Sequence, residues 1–230
     1  MGDLSEKLME ELESKTAFTI PIFGGIPVPQ SCVVTWIIMA AVVLVSIILV
    51  HRLKTVPTGA QCLLEILINW LNNFFTEILG EKGKRYLPFL ETIIIYIACS
   101  NLIGVFGLTP PTKDINVTVA LALIAIFMIE FAAIRAKGAG GWLKSFRKPM
   151  LIMLPFNILD LVTRPLSLCM RLFGNVLGAF VVMELIKIVV PVGLPVVFSL
   201  YFDIFDGLIQ AYIFVFLTAL FMSEGIEEND

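Results

Sequence analysis

From Met150 to Val190 the chain stays apolar for about 41 residues, and near the middle of that stretch stands one cation, Arg171. A helix that long would reach ~60 Å at 1.5 Å per residue, twice the ~30 Å hydrocarbon core of a bilayer. Either the segment crosses as a bent, strongly tilted helix, or it breaks in two at Pro155 or Pro165. No acid lies within five residues of Arg171 on either side. A guanidinium stays protonated in proteins, and holding one at the bilayer centre costs ~2.5–3.5 kcal/mol on insertion scales. A charge kept there at that cost marks a functional site, and its counter-charge must come from elsewhere in the fold or from another chain.

The rest of the chain has the same character. Of its 230 residues, 58% are hydrophobic and 15% charged, against about 45–50% and roughly 25% in soluble domains. The excess falls in long runs, which predicts an all-α integral membrane protein. The net charge of −3 and the clustering of basic residues between apolar runs argue against a nucleic-acid partner. Cys32, Cys62, Cys99 and Cys169 stand singly in apolar segments and read as small buried hydrophobes. His51 sits beside Arg52 at a helix end. With no metal-ligand cluster, phosphate-cradling loop or nucleophile–base pairing, neither a metal, a cofactor nor a catalytic centre is expected. Met1–Lys15 is acidic and lacks the basic start of a signal peptide.

One polytopic domain accounts for the pattern: about five membrane-embedded helices and one interfacial amphipathic helix. After an outer segment, residues 1–30, the first spanning helix covers 31–54 and closes on His51-Arg52-Leu53-Lys54. Residues 57–80 carry Glu65, Asn69, Asn72, Asn73 and Glu77 on an otherwise apolar helix, which suits the interface or a packed surface. Spanning helices follow at 88–108 and 117–136, separated by Pro110-Pro111, and a basic, glycine-rich loop runs from Gly138 to Pro149. The long segment 150–190 and the last helix, 194–222, then form a tilted hairpin, and 223–230 is an acidic cytoplasmic tail. With five crossings and the N-terminus outside, Arg52, Lys54, Lys82, Lys84, Arg85, Arg135, Lys137, Lys144, Arg147 and Lys148 fall on the cytoplasmic side. Only Lys7, Lys15 and Lys113 fall outside, as the positive-inside rule requires.

Helical spacing sorts the polar residues. With Arg171 at zero, Asn157, Asp160, Arg164, Ser167, Asn175 and Gly178 lie within about 40° of it at 100° per residue. Such a stripe is either a helix–helix seam or an ion path, and Asp160 with Arg164 at i and i+4 have the spacing of an ion pair. In the last helix Ser199, Asp203, Asp206 and Gln210 share one face, and two carboxylates there suggest a cation route. Glu184 lies on the far side of the long helix, with Lys187 one turn on. Glu130 is placed to snorkel to the inner surface, and Asn101 with Ser100 to join helices.

The run Pro165-Leu166-Ser167-Leu168-Cys169-Met170-Arg171-Leu172-Phe173-Gly174-Asn175 closely resembles the signature of the a subunits of the ATP synthase membrane sector, Fo. Pro111–Thr118 and Gln210-Ala211-Tyr212-Ile213-Phe214 resemble the same family, in its order and spacing. The resemblance implies a stator beside a rotating ring of c subunits, held to a b-subunit peripheral stalk and bathed in lipid. It implies that Arg171 faces the ring carboxylate, with Asn175 and Gln210 near it, and that the cargo is H⁺ or Na⁺. Many relatives carry glutamate where this chain has Phe180 and Asn157; Glu184 and Asp160, each one turn away, are the expected replacements. Where some relatives have histidine, this chain has Asp203, followed by Asp206. Glu184, Asp203 and Asp206 are therefore expected on the outer path, and Asp160 and Asn157 on the inner one. The implied setting is a bacterial plasma membrane. The rival readings are an independent cation channel or transporter, and a structural membrane scaffold.

Overall fold

The computed structural model describes residues 16–20, 26–51, 59–106, 108–145, 154–189 and 193–227. A short antiparallel hairpin comes first, with β1 (Thr16–Ile20) paired to β2 (Ile26–Pro29) and an irregularity between Thr16 and Phe18. Helix α1 (Gln30–Val50) follows directly, then α2 (Ala60–Gly83), a 3₁₀ turn at Lys84–Tyr86, and α3 (Leu87–Leu102). Next come α4 (Ile115–Ser145), α5 (Leu154–Val189) and α6 (Leu194–Leu200). A π-helical segment, Tyr201–Asp206, leads into α7 (Gly207–Glu227). Among the described residues, five helical stretches are long and apolar enough to cross a membrane. One of them, Gln61–Phe106, joins α2 and α3.

Several sequence expectations are corrected here. The outer segment, for which no element was expected, carries a hairpin: Ile26-Pro27-Val28-Pro29 pairs with Thr16–Ile20. The acidic stretch Met1–Lys15, together with Arg52 and Lys54, lies outside the described residues. The glycine-rich stretch expected as a loop remains helical to Ser145, after Gly138 turns the chain at φ 73°. That positive φ is cheap only for glycine. The long helix does not break at Pro165: α5 is continuous for 36 residues. The proline ring has no N–H for the carbonyl of Leu161, so that oxygen loses its helical donor. The last helix does not end at residue 222: α7 runs on to Glu227.

The chain forms two compact units. The first gathers the chain up to Leu44, Tyr96–Thr118 and Met170–Ala211. Here Ser31 Oγ donates to Asp114 Oδ2 at 2.5 Å, while Asp114 Oδ1 accepts the backbone N–H of Asn116 at 3.0 Å and so caps α4. The Thr35 and Tyr96 hydroxyls meet at 3.2 Å. Asn101, buried at the end of α3, donates through Nδ2 to the Gly207 carbonyl and accepts from Thr112 Oγ1, both at 2.8 Å. A side chain at Gly207 would collide with Asn101, its Cβ falling 2.9 Å from that of Asn101.

The second unit gathers Val45–Ile95, Val119–Cys169 and Tyr212–Asp230. Its core is aliphatic and aromatic: Phe75, Leu79, Leu90, Ile129, Phe214 and Met222 are fully buried. Phe74 of α2 packs against Tyr212 and Phe216 of α7 at centroid distances of 5.4 and 6.2 Å. Ser223 Oγ ties α7 to α2 by donating to the Ile78 carbonyl at 2.7 Å. Gly225 lets α7 approach α4, since a Cβ there would lie 3.2 Å from that of Ala133. On the other face of α2, Leu63, Ile66, Leu67 and Trp70 are exposed, as an amphipathic helix bordering lipid requires.

Candidate functional site

Arg171 lies in the first unit on α5 and is exposed. No hydrogen bond or ion pair joins it to an acid among the described residues, and the nearest polar residue one turn on, Asn175, is engaged elsewhere. The face around it carries little bulk. Gly174 and Gly178 are both exposed, and a Cβ at either would meet nothing within 4 Å. Leu172, one residue on, is fully buried. Arg171 thus stands on an open, small-residue face of a helix whose adjoining flank, at Leu168 and Leu172, is packed.

The same unit holds a cavity of about 190 Å³. Asp203, Asp206, Asn175, Asn101 and Lys113 supply its polar lining, and Phe180, Met183 and Phe202 its apolar walls. Both carboxylates are held in place. Asn175 Nδ2 donates to Asp206 Oδ2 at 2.7 Å, and Ser199 Oγ to Asp203 Oδ2 at 2.7 Å. Gly104 makes room for Asp203, whose Oδ1 lies 2.8 Å from where a Cβ would sit. Both acids belong to the π-helical segment, not to a regular α-helix as expected, so the 100° wheel does not describe their spacing. Such π segments are rare and are found frequently at functional sites. Asn101 is the partner for Gly207. Gln210 is buried at 4% exposure, and its Nε2 has no partner among the described residues. The position of Glu184 on α5 is described, but its side chain lies outside the described set.

A second cavity, of about 110 Å³, belongs to the second unit. Asn157, Asp160 and Arg164 of α5 line it with Glu130, Lys137 and Trp142 of α4. A water needs ~10–15 Å³ of such space, so either cavity has room for several. The expected Asp160–Arg164 pair does not form. Arg164 Nη2 reaches Glu224 Oε2 of α7 at 3.3 Å, and its guanidinium lies 4.8 Å from the centre of the Phe221 ring. Glu130 Oε2 accepts from Trp142 Nε1 at 2.7 Å. The Gly138 turn is what brings that indole back over the cavity.

The structure therefore joins Asn175, Asp203 and Asp206 in one cavity and Asn157 and Asp160 in another. In chain order Arg171 falls between the α5 residues that line the two. Sequence reasoning missed Asn101 and Lys113 in the first, Trp142 in the second, and Glu224 as the partner of Arg164. Lys113 Nζ lies 3.7 Å from the centre of the Phe180 ring, a contact that no local spacing reveals.

Five helical stretches long and apolar enough to cross a bilayer define the class, a multi-pass membrane protein. Comparison with known proteins supplies the particular kind. The ATP synthase A chain family matches residues 32–223. ATP synthase subunit a 2 of Bradyrhizobium sp. (strain BTAi1) is 38% identical over 208 residues, 88% of this chain and 91% of that one. Subunit a of Moorella thermoacetica is 33% identical over 204 residues, covering 88% and 93%. The sodium ion specific subunit a of Propionigenium modestum is 30% identical over 222 residues, covering 90% and 77%. The chain belongs to the ATP synthase subunit a family, the stator component of the membrane sector Fo.

Proposed function

We propose that this chain gives cations passage to and from a ring of c subunits through two separate half-channels, with Arg171 facing the ring carboxylates. The observation that carries the reading is the state of Arg171: exposed on an apolar helix, beside two open glycines, with no acid among the described residues to pair with it. A neighbouring rotor that presents acids in turn supplies the missing counter-charge. A fixed cation lowers the pKa of each passing carboxylate and favours its ionised form. Being always protonated, it also repels a free cation that would otherwise leak directly between the two paths.

Asp203 and Asp206, with Glu184, form the outer path. Asn175 holds Asp206 in place, and Gln210 is assigned with Arg171 to the ring-facing site. Asp160 and Asn157 form the inner path. Each charge crossing 100 mV releases ~2.3 kcal/mol, so several per turn drive work elsewhere in the complex. The subunit does no covalent chemistry itself. It sits in a bacterial plasma membrane, N-terminus outside and C-terminus cytoplasmic, with a b-subunit stalk holding it against rotation. The ion is H⁺, and Na⁺ is the second reading because one relative is named as sodium ion specific.

The test is Arg171→Ala in the assembled synthase. ATP-driven ion uptake by inverted vesicles is expected to fall to background while subunits a and c still co-purify. Normal uptake by the variant would remove the proposal. An independent transporter would instead move ions when purified without the ring.

A further inference from the structure

Arg164 stands four residues after Asp160 on one helix, a spacing at which a cation and a carboxylate ordinarily meet. It turns instead to Glu224, sixty residues further along the chain, at 3.3 Å. Phe221, one turn before Glu224 on α7, offers its ring face to the same guanidinium at 4.8 Å. Glu224 and Phe221 thus hold the cation together, one by charge and the other by its π face.

The consequence falls on Asp160. It lines the cavity, is exposed, and its carboxylate makes no hydrogen bond or ion pair with a described residue. Glu130, the other carboxylate of the lining, already accepts from Trp142. Were Arg164 to close on Asp160, the lining would lose its open carboxylate, and an arriving cation would meet a neutral pair.

We propose that Glu224 is a positioning residue: together with Phe221 it draws Arg164 off Asp160 and so keeps the Asp160 carboxylate open to the translocated cation. This rests on the reading of Asp160 as part of the inner path. The Arg164–Glu224 pair is itself partly exposed, with 29% and 53% of the two side chains accessible, so the fold does not depend on it.

The experiment uses the assembled synthase in inverted vesicles, with co-purification of subunits a and c as the assembly check. ATP-driven uptake is followed separately as acidification and as sodium accumulation. Glu224→Gln should slow uptake roughly two- to fivefold, the scale set by the Asp160–Arg164 i,i+4 pair that then forms. The double variant Arg164→Gln/Glu224→Gln should return close to the unmodified rate, because no guanidinium is left to occupy Asp160. In an Asp160→Asn background, Glu224→Gln should change nothing further. Phe221→Leu should act in the same direction as Glu224→Gln, more weakly, and carries the test should Glu224→Gln fail to assemble. Full-speed uptake by Glu224→Gln, or a double variant as slow as the single one, overturns the proposal. The two readings fail differently. Normal uptake by Asp160→Asn removes the inner path itself, whereas a slow Asp160→Asn beside a normal Glu224→Gln removes only the role of Glu224.

Discussion

The two cavities solve the problem of keeping charge inside a membrane protein in opposite ways. In the first, both acids are held by neutral donors, Asp206 by the Asn175 amide and Asp203 by the Ser199 hydroxyl. A neutral donor steadies a carboxylate without cancelling it. In the second, Arg164 stands one helical turn from Asp160 and is matched instead by an acid outside its own helix, leaving the Asp160 carboxylate without an ion pair among the described residues. Polar clamps preserve charge by holding it, and an ion pair preserves it by pulling the competitor aside. The comparison teaches that the number of charges lining a cavity says little; what matters is which of them are already engaged.

Substitutions can break this contrast, and the largest effect is expected in the first cavity. Asp203→Asn with Asp206→Asn, and Glu184→Gln added, should reduce ATP-driven uptake by more than roughly tenfold, as expected when an intramembrane path loses its ionisable groups. Near-normal pumping would remove these acids from the outer path. Next comes Asn101→Leu. It strips a buried carbonyl and a buried hydroxyl of their partner, at about 1–3 kcal/mol for each group left unsatisfied. Lowered thermal stability of the purified complex, together with slower uptake, is the expected outcome. A variant of unchanged stability would show that the π segment does not need this clamp.

Gly104→Ala sharpens the comparison further. The new methyl would press on the Asp203 carboxylate, whose Oδ1 lies 2.8 Å from it. Since only the end of a side chain must move, assembly should survive and uptake should fall only a few-fold, at about 0.5–1.5 kcal/mol of rotamer strain. Unchanged uptake would mean that the exact seat of Asp203 is unimportant. The smallest effect is expected from Ser199→Ala, which removes one hydroxyl donor worth about 0.5–1.5 kcal/mol and leaves the carboxylate in place. A loss as deep as that from neutralising Asp203 would show the hydroxyl to be part of the path itself.

Much of this was legible in the sequence, for a physical reason. Lipid forces backbone groups to pair within a segment, so apolar runs translate directly into helices, and a lone guanidinium in such a run cannot be incidental. Arg171, Asp203 and Asp206 stand out on those grounds alone. What stayed hidden depends on contacts between distant segments. Helical spacing assigns Arg164 to Asp160, yet it pairs with an acid sixty positions away that stands beside an aromatic face. The π segment was equally invisible, since nothing in the local spacing shows that Asn101 meets the Gly207 carbonyl just after it across 106 positions. The turn at Gly138 could be read as a break in α4, but not that it returns Trp142 to Glu130.

The central claim is that the open face around Arg171 is covered by the rotor, and a cross-link tests it most directly. A cysteine at Gly178, where nothing lies within 4 Å, is paired with cysteines placed one at a time along the outward helix of the c subunit, and the assembled enzyme is oxidised. The account predicts a disulfide between the two subunits at c positions close to the ring carboxylate, and its loss of rotation-coupled pumping. A cysteine that reacts freely with a lipid-soluble maleimide and joins no c subunit at any position would contradict it.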